Sequence, residues 1–295
     1  KYGVIALTGE DEKRYPELAQ VLKKLAEENK DTILTDYENL KSQVEDDLQG
    51  AEEGGYQVYT PYSTECSFYV KRADSRVLSL GKSGYDYWGG VHGYGYSIGC
   101  NYDARTGKEL QIQDVVMDMD TFAALAETSV YEDYGLTKDD VYLDEGETLK
   151  DYILKEAADN DLNFGITNEG VEIWFNPYEI SYYAAGMPSG SVSFAEHPEV
   201  FSDYYAETAR TYVYAIEGLD VSDIDFDGDG KADELSVWAS MDEYGTYEAL
   251  KVSMNGVETS KDIWAYSYDP YILHTADGKN YLYVICGSDN DYRML

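Results

Sequence analysis

The sequence predicts an α+β fold: an antiparallel sheet packed with helices, followed by an antiparallel β-meander of propeller-blade-like size that carries an acidic, cation-type loop. Three observations point there. Apolar residues recur at three- and four-residue steps over a long early stretch and two shorter later ones. Between and after these lie runs rich in tyrosine and β-branched residues. Beyond about residue 200 the helical periods stop, and short apolar runs alternate with turn signals. We therefore divide the chain into residues 1–200, the α+β part, and 201–295, the meander.

In chain order, Val4 to Leu7 can form a first strand. Pro16 is well placed in the first turn of a helix. Leu18, Leu22, Leu25, Ile33, Tyr37, Leu40, Val44 and Leu48 then form an amphipathic stripe with an acidic outer face, ended by Gly50 and the Gly54-Gly55 pair. Tyr56 to Tyr59, Ser63 to Lys71, Arg76 to Leu80 and Tyr94 to Asp103 read as antiparallel strands, followed by a turn at Arg105 to Lys108 and a short strand from Glu109 to Ile112. Asp120 can cap a helix that turns Phe122, Leu125, Ala126 and Val130 to one side. Thr148 to Ala158 suits a second, with Leu149, Tyr152 and Ile153 inward. Leu162 to Ile166 and Val171 to Phe175 form a hairpin around Asn168-Glu169-Gly170. Val171, Ile173 and Phe175 share one face of it, while Trp174 implies that the other face is covered too.

In the meander, Thr211 to Ile216, Glu234 to Ser240, Glu248 to Ser253 and Tyr281 to Cys286 read as strands, and Asn255-Gly256 and Asp277-Gly278 as hairpin turns. Its first turn is the run Asp225-Phe226-Asp227-Gly228-Asp229-Gly230-Lys231-Ala232-Asp233. Carboxylates at alternate positions converge on one point, and a glycine at the sixth position permits the sharp turn of a Ca2+ loop. Asp225, Asp227 and Asp229 would supply side chains, Lys231 its carbonyl, and Asp233 the closing carboxylate. An EF-hand needs Glu at the twelfth position on a helix; here Ser236 stands there, inside a predicted strand. The loop is therefore expected to be a structural clamp in a β-hairpin, similar to those of integrin-type and bacterial surface propeller repeats. The alternative is an acidic turn holding water.

Composition narrows the partners. With 22 basic and 58 acidic residues the formal charge is −36, which disfavours nucleic acid and anionic membranes and favours cations or basic proteins. No apolar run of the roughly 18 residues a span needs is present. Cys66 and Cys100 fall in predicted strands, either meeting as a pair or lying apart as buried thiols; Cys286 completes the set. No signal peptide opens the chain; export is expected from the calcium loop, with any leader removed.

Two further segments stand out. Tyr85 to Tyr96 interleaves glycines and tyrosines around His92, with Tyr87, Trp88 and Tyr94 as candidate stacking surfaces for a sugar or a protein partner. The alternative is a glycine-kinked strand pair whose tyrosines pack on the sheet. Trp174 to Gly186 contains Pro177, Tyr178 and Glu179, which either orient a loop for binding or make a structural turn.

Gly89-Gly90-Val91-His92-Gly93, Asn101 to Leu110 with Asp114, Phe175 to Ile180, and Tyr183 to Gly186 occur in an order that resembles the extracytoplasmic domain shared by RsiV-type anti-sigma factors and PdaC-type peptidoglycan deacetylases. The resemblance covers residues 1–196. It implies an exported α+β domain at the Gram-positive cell surface, bound to lysozyme in one branch and set beside a catalytic domain in the other. With only His92, His197 and His274, and no H-x-x-x-H, the deacetylase motif is missing. The expected role is a non-enzymatic binding module for a cell-wall glycan or a basic protein such as lysozyme. The alternatives are a cell-wall hydrolase or esterase, which has carboxylates but no G-x-S-x-G or H-E-x-x-H, or a structural spacer of a longer surface protein.

Overall fold

A computed structural model describes residues 1–295 except 56–57, 59–61, 217–219, 225, 227–232, 289–291 and 295. The chain is α+β and divides into two compact units, Lys1–Glu207 and Thr208–Leu295.

The first unit opens with a short helix, α1 (Glu10–Arg14), and a long one, α2 (Pro16–Gly54). Pro16 occupies the first turn, and Gly55 ends α2 in the left-handed region at φ 68°. Leu18, Leu22, Ile33 and Leu40 are buried as the periodicity requires, but Tyr37 and Leu48 are 54% and 50% exposed. The predicted strand at Val4 to Leu7 does not form. Pairing stops earlier, at a parallel bridge between Tyr2 and Cys66. The segment Tyr56 to Tyr59 lies, but for Val58, outside the described residues.

β1 (Ser63–Ala73), β2 (Val77–Tyr87) and β3 (Tyr94–Asp103) form the first antiparallel sheet, in that order. Leu18 and Leu22 of α2 pack on it with Leu78, Leu80, Cys100 and Tyr102. The three cysteines are free thiols. Cys66 sits opposite Gly84, whereas Cys100 sits opposite Leu80 on the other side of β2. Two strand spacings and four residues of offset, roughly 9 Å by 13 Å, lie far beyond disulfide reach. The predicted strand after β3 reduces to one bridge, Tyr102 with Glu109, because α3 (Ile112–Val115) begins at once.

α4 (Met119–Glu132) is capped by Asp118, not Asp120: the Asp118 carboxylate accepts from the Thr121 N–H at 3.1 Å, while Asp120 pairs with Lys150 at 2.7 Å. α5 (Leu149–Asp159) starts at a Thr148/Asp151 capping box. Both helices cover the second antiparallel sheet, β4 (Phe164–Ile166), β5 (Gly170–Trp174) and β6 (Ser189–Ser193). Phe122, Val130, Ile153, Ile166, Val171, Ile173 and Phe175 are fully buried there, in the largest core of the molecule's described residues.

The two sheets meet along a polar seam. Buried Ser79 donates to Asn101 Oδ1 at 2.6 Å and accepts from the Ile166 N–H at 2.9 Å; Asn101 Nδ2 donates to the Phe164 carbonyl at 2.8 Å. Trp174, covered as expected, donates its indole N–H to the Ser97 carbonyl at 3.0 Å. Gly99 makes the approach possible, since a Cβ there would lie 2.0 Å from the Phe164 carbonyl oxygen.

The last helix of this unit is α6 (Asp203–Ala206). Arg72, whose side chain is fully enclosed, bonds Asp74 at 2.7 Å and donates to the Tyr205 and Glu207 carbonyls at 2.7 and 2.9 Å. Arg76 pairs with Glu207 and lies over the Tyr204 ring. These bonds hold residues 201–207 in the first unit, seven residues past the change in sequence texture.

The second unit consists of two four-stranded antiparallel sheets built from β7 (Tyr212–Ala215), β8 (Asp220–Ile224), β9 (Asp233–Met241), β10 (Tyr247–Met254), β11 (Val257–Ala265), β12 (Ser267–His274), β13 (Asn280–Gly287) and β14 (Tyr292–Met294). One sheet runs β11-β10-β9-β8 and the other β14-β13-β12-β7. Leu235, Val237, Leu250, Ala265, Ile272, Val284 and Cys286 share one core, so strands from both sheets bury a common interior. β7, β9, β10 and β13 follow the predicted strands within a residue or two, and the turns fall at Asn255-Gly256 and Gly278, both with positive φ.

Candidate functional site

The glycine- and tyrosine-rich run forms the β2–β3 hairpin and its tip. Register pairs place Gly84 opposite Tyr96 and Tyr85 opposite Gly95. A Cβ on Gly84 would collide with the Tyr96 ring, and one on Gly93 with the Tyr85 ring. The glycines are thus seats for cross-strand tyrosines. At the tip, Gly89 and Gly90 take φ near +90° and the Tyr87 hydroxyl donates to the Gly90 carbonyl at 2.8 Å.

The loop from Asn176 to Gly186 lands on this tip. His92 stacks on Tyr183 with ring centroids 4.0 Å apart, and the Tyr183 hydroxyl donates to the Gly93 carbonyl at 2.8 Å. Tyr178 packs on Tyr183 at 5.5 Å, and its hydroxyl comes to 3.5 Å from His92 Nε2. Tyr178 holds a left-handed backbone at φ 70°, a conformation that costs a bulky residue of the order of 1 kcal/mol or more. Tyr142 adds itself beside Tyr182 at 6.4 Å.

Several side chains of the tip and of the segments meeting it are exposed: Tyr178 and Tyr142 are about three-fifths accessible, Trp88, Tyr94 and Tyr182 about two-fifths, and Val91 fully so. The structure therefore brings together His92 and Tyr178 in direct contact, with Tyr87, Trp88 and Tyr94 on the same hairpin. Sequence reasoning missed Tyr183, Tyr182 and Tyr142; only their aromatic character in a motif segment, or in a loop, marked the first two.

Glu179 plays another part. Its Oε2 accepts from the Asn176 N–H at 2.8 Å, and Oε1 accepts from the Tyr152 hydroxyl at 3.4 Å. Asn176 in turn accepts from the Ser97 N–H at 2.7 Å, which ties the loop to β3. Burial raises the Glu179 carboxyl above its ordinary value, helped by the charge of Glu156 and opposed by the Asn176 hydrogen bond. Glu179 is thus a brace inside the loop rather than a group offered to a ligand.

Of the proposed metal loop, Asp225, Asp227, Asp229 and Lys231 lie outside the described residues. Asp233 is described: it is buried at the start of β9 and accepts from the Phe226 N–H and from Asn255 Nδ2, both at 2.6 Å. Asn255 also accepts from the Glu234 N–H at 2.9 Å, so the next hairpin turn braces the base of the loop. Among the described residues, no group of three or more His, Cys, Asp or Glu side chains is placed to hold a metal. None of the described helices is long and apolar enough to cross a membrane.

Residues 113–195 match the family model described as "Protein of unknown function (DUF3298)". That span contains the Tyr178–Tyr183 loop and stops short of the β2–β3 tip. No curated protein matches the chain. Among solved structures, a DUF3298 family member from Bacteroides fragilis NCTC 9343 aligns at 16% identity over 66% of this chain and 76% of its own, with a TM-score of 0.45. A DUF3298 family protein from Pseudomonas aeruginosa PAO1 aligns at 16% identity over 50% of this chain and 66% of its own, with a TM-score of 0.36. Likeness at this level carries no argument about function.

Proposed function

We propose that this chain is a non-enzymatic binding module of the bacterial cell surface, and that it receives a basic protein such as lysozyme, or a cell-wall glycan, on the aromatic tip. The observation that carries the reading is the exposed Tyr178 packed on the His92–Tyr183 stack, with Tyr182 exposed in the same loop and Trp88 and Tyr94 exposed on the same hairpin. Rigid aromatic rings on a braced loop offer contact area at little entropic cost, the usual makeup of an interaction hot spot. The charge of −36 would steer a cationic partner towards the chain. Extracellular placement and a stabilising Ca2+ ion at Asp225, Asp227, Asp229, Lys231 and Asp233 belong to the same proposal.

The test is a titration of the full chain with hen lysozyme and, separately, with soluble peptidoglycan fragments, each at low and moderate salt. Salt-sensitive binding to lysozyme, weakened about tenfold or more by Trp88→Ala or Tyr178→Ala, supports the basic-protein form. Salt-insensitive binding of the fragments with the same loss supports the glycan form. No binding of either at low salt overturns both.

A further inference from the structure

The first sheet carries a second feature on the face it turns to α2. Thr64 and Asp86 are direct register partners on β1 and β2, so their side chains stand side by side on one face. Cys66, next on that face, donates to Asn29 of α2 at 3.2 Å, which fixes the face as the one under the helix. Thr64 is 6% exposed, yet its hydroxyl has no hydrogen-bond partner; the enclosed Oδ1 of Asp86 opposite it has none either. Burying two such oxygens unpaired is costly, and the register sets them next to each other.

Two more oxygen-bearing side chains belong to the same face. Asp36 lies on the α2 stripe that runs through Asn29, Ile33 and Leu40. The Tyr96 ring lies over Gly84, two residues from Asp86 on the same face. Two carboxylates and two hydroxyls on this face offer the donor chemistry of a hard cation, beside the N-terminal ammonium, which donates to the Thr64 carbonyl at 2.8 Å, and Lys82 on the same face of β2.

We propose that Thr64, Asp86, Asp36 and Tyr96 form a calcium site between α2 and the first sheet, separate from the loop of the second unit. The ion would supply the missing partner of both orphaned oxygens and offset the repulsion between the two carboxylates.

The test is calorimetric titration of chelator-stripped full-length chain with calcium chloride, with folding checked by circular dichroism. Asp227→Ala, which disables the loop of the second unit, is expected to leave one equivalent of bound calcium. Adding Asp86→Asn to that chain is expected to abolish it, and adding Thr64→Val to weaken it about tenfold. A folded Asp227→Ala chain that binds no calcium overturns the proposal. So does an Asp227→Ala/Asp86→Asn chain that binds as before. Should Asp86→Asn fail to fold, Asp36→Asn and Thr64→Val in the same background decide: unchanged affinity in both refutes the site.

Discussion

The two three-stranded sheets of the first unit have opposite interiors. The second lies under α4 and α5 on a continuous apolar core that includes Phe122, Ile153, Ile173 and Phe175. The first lies under α2 on a short apolar cluster around Leu22 and Leu80, and further along the same face stand Thr64, Asp86 and Tyr96, with Asn29 of the helix nearby. The larger core supplies rigidity, and the sheet with the smaller one carries both candidate sites, at its hairpin tip and beneath its helix. Binding groups are affordable where a neighbouring core already fixes the backbone.

That division of labour predicts a graded series. Phe175→Ala, in the dense core, should cost ~3–5 kcal/mol in chemical unfolding. Leu22→Ala, in the small cluster, should fall nearer ~2–3 kcal/mol, and a larger loss than Phe175→Ala would break the comparison. Ser79→Ala, at the seam, removes a partner from both the Asn101 side chain and the Ile166 N–H and should cost ~1–3 kcal/mol. Thr148→Ala should cost ~0.5–2 kcal/mol at neutral pH. It should also flatten the acid limb of the melting curve. The Thr148 hydroxyl and then its N–H hold the Asp151 carboxyl below its ordinary value. Stability from that box is therefore present above the unfolded carboxylate range, roughly pH 4, and is lost as pH falls through the lower folded value. Trp88→Ala should change stability by no more than ~0.5 kcal/mol, the ordinary surface range, while weakening partner binding about tenfold or more.

The second unit tests the calcium loop in the same manner. Calcium should raise its melting transition and Asp227→Ala should cancel the rise, since an ion held only by the folded state stabilises it by mass action. Identical melting curves with and without chelator would remove the loop from the account.

Much of this architecture is legible in the sequence because the buried stripe of a helix and the tyrosine-rich strands leave strong periods. The misses have physical causes. β11 is exposed over nearly its whole length, so Val257 to Lys261 shows no buried face to read. β12 contains Pro270, normally a sign against an inner strand, but β7 ends at Ala215 opposite Tyr271, so its ladder does not reach the missing N–H. Val4 to Leu7 has strand-like residues, but pairing with β1 ends at the Tyr2–Cys66 bridge, and Ile5 and Leu7 pack instead against the cluster under α2. In the candidate site, His92 and Tyr178 announce themselves by rarity and motif, whereas their union through Tyr183 joins segments ninety residues apart and is set only by the tertiary fold. Glu179 looked like an offered carboxylate because sequence does not say which way a side chain turns.

Arg72 has a mechanical consequence. Tension applied to the chain beyond Glu207 meets its guanidinium at the Tyr205 and Glu207 carbonyls and passes into β1, the edge strand of the first sheet. From there it spreads through the β1–β2 ladder in shear, while the loop carrying Tyr178 and Tyr183 stays off the path. The Arg76–Glu207 pair offers the same tension a second entry, just before β2.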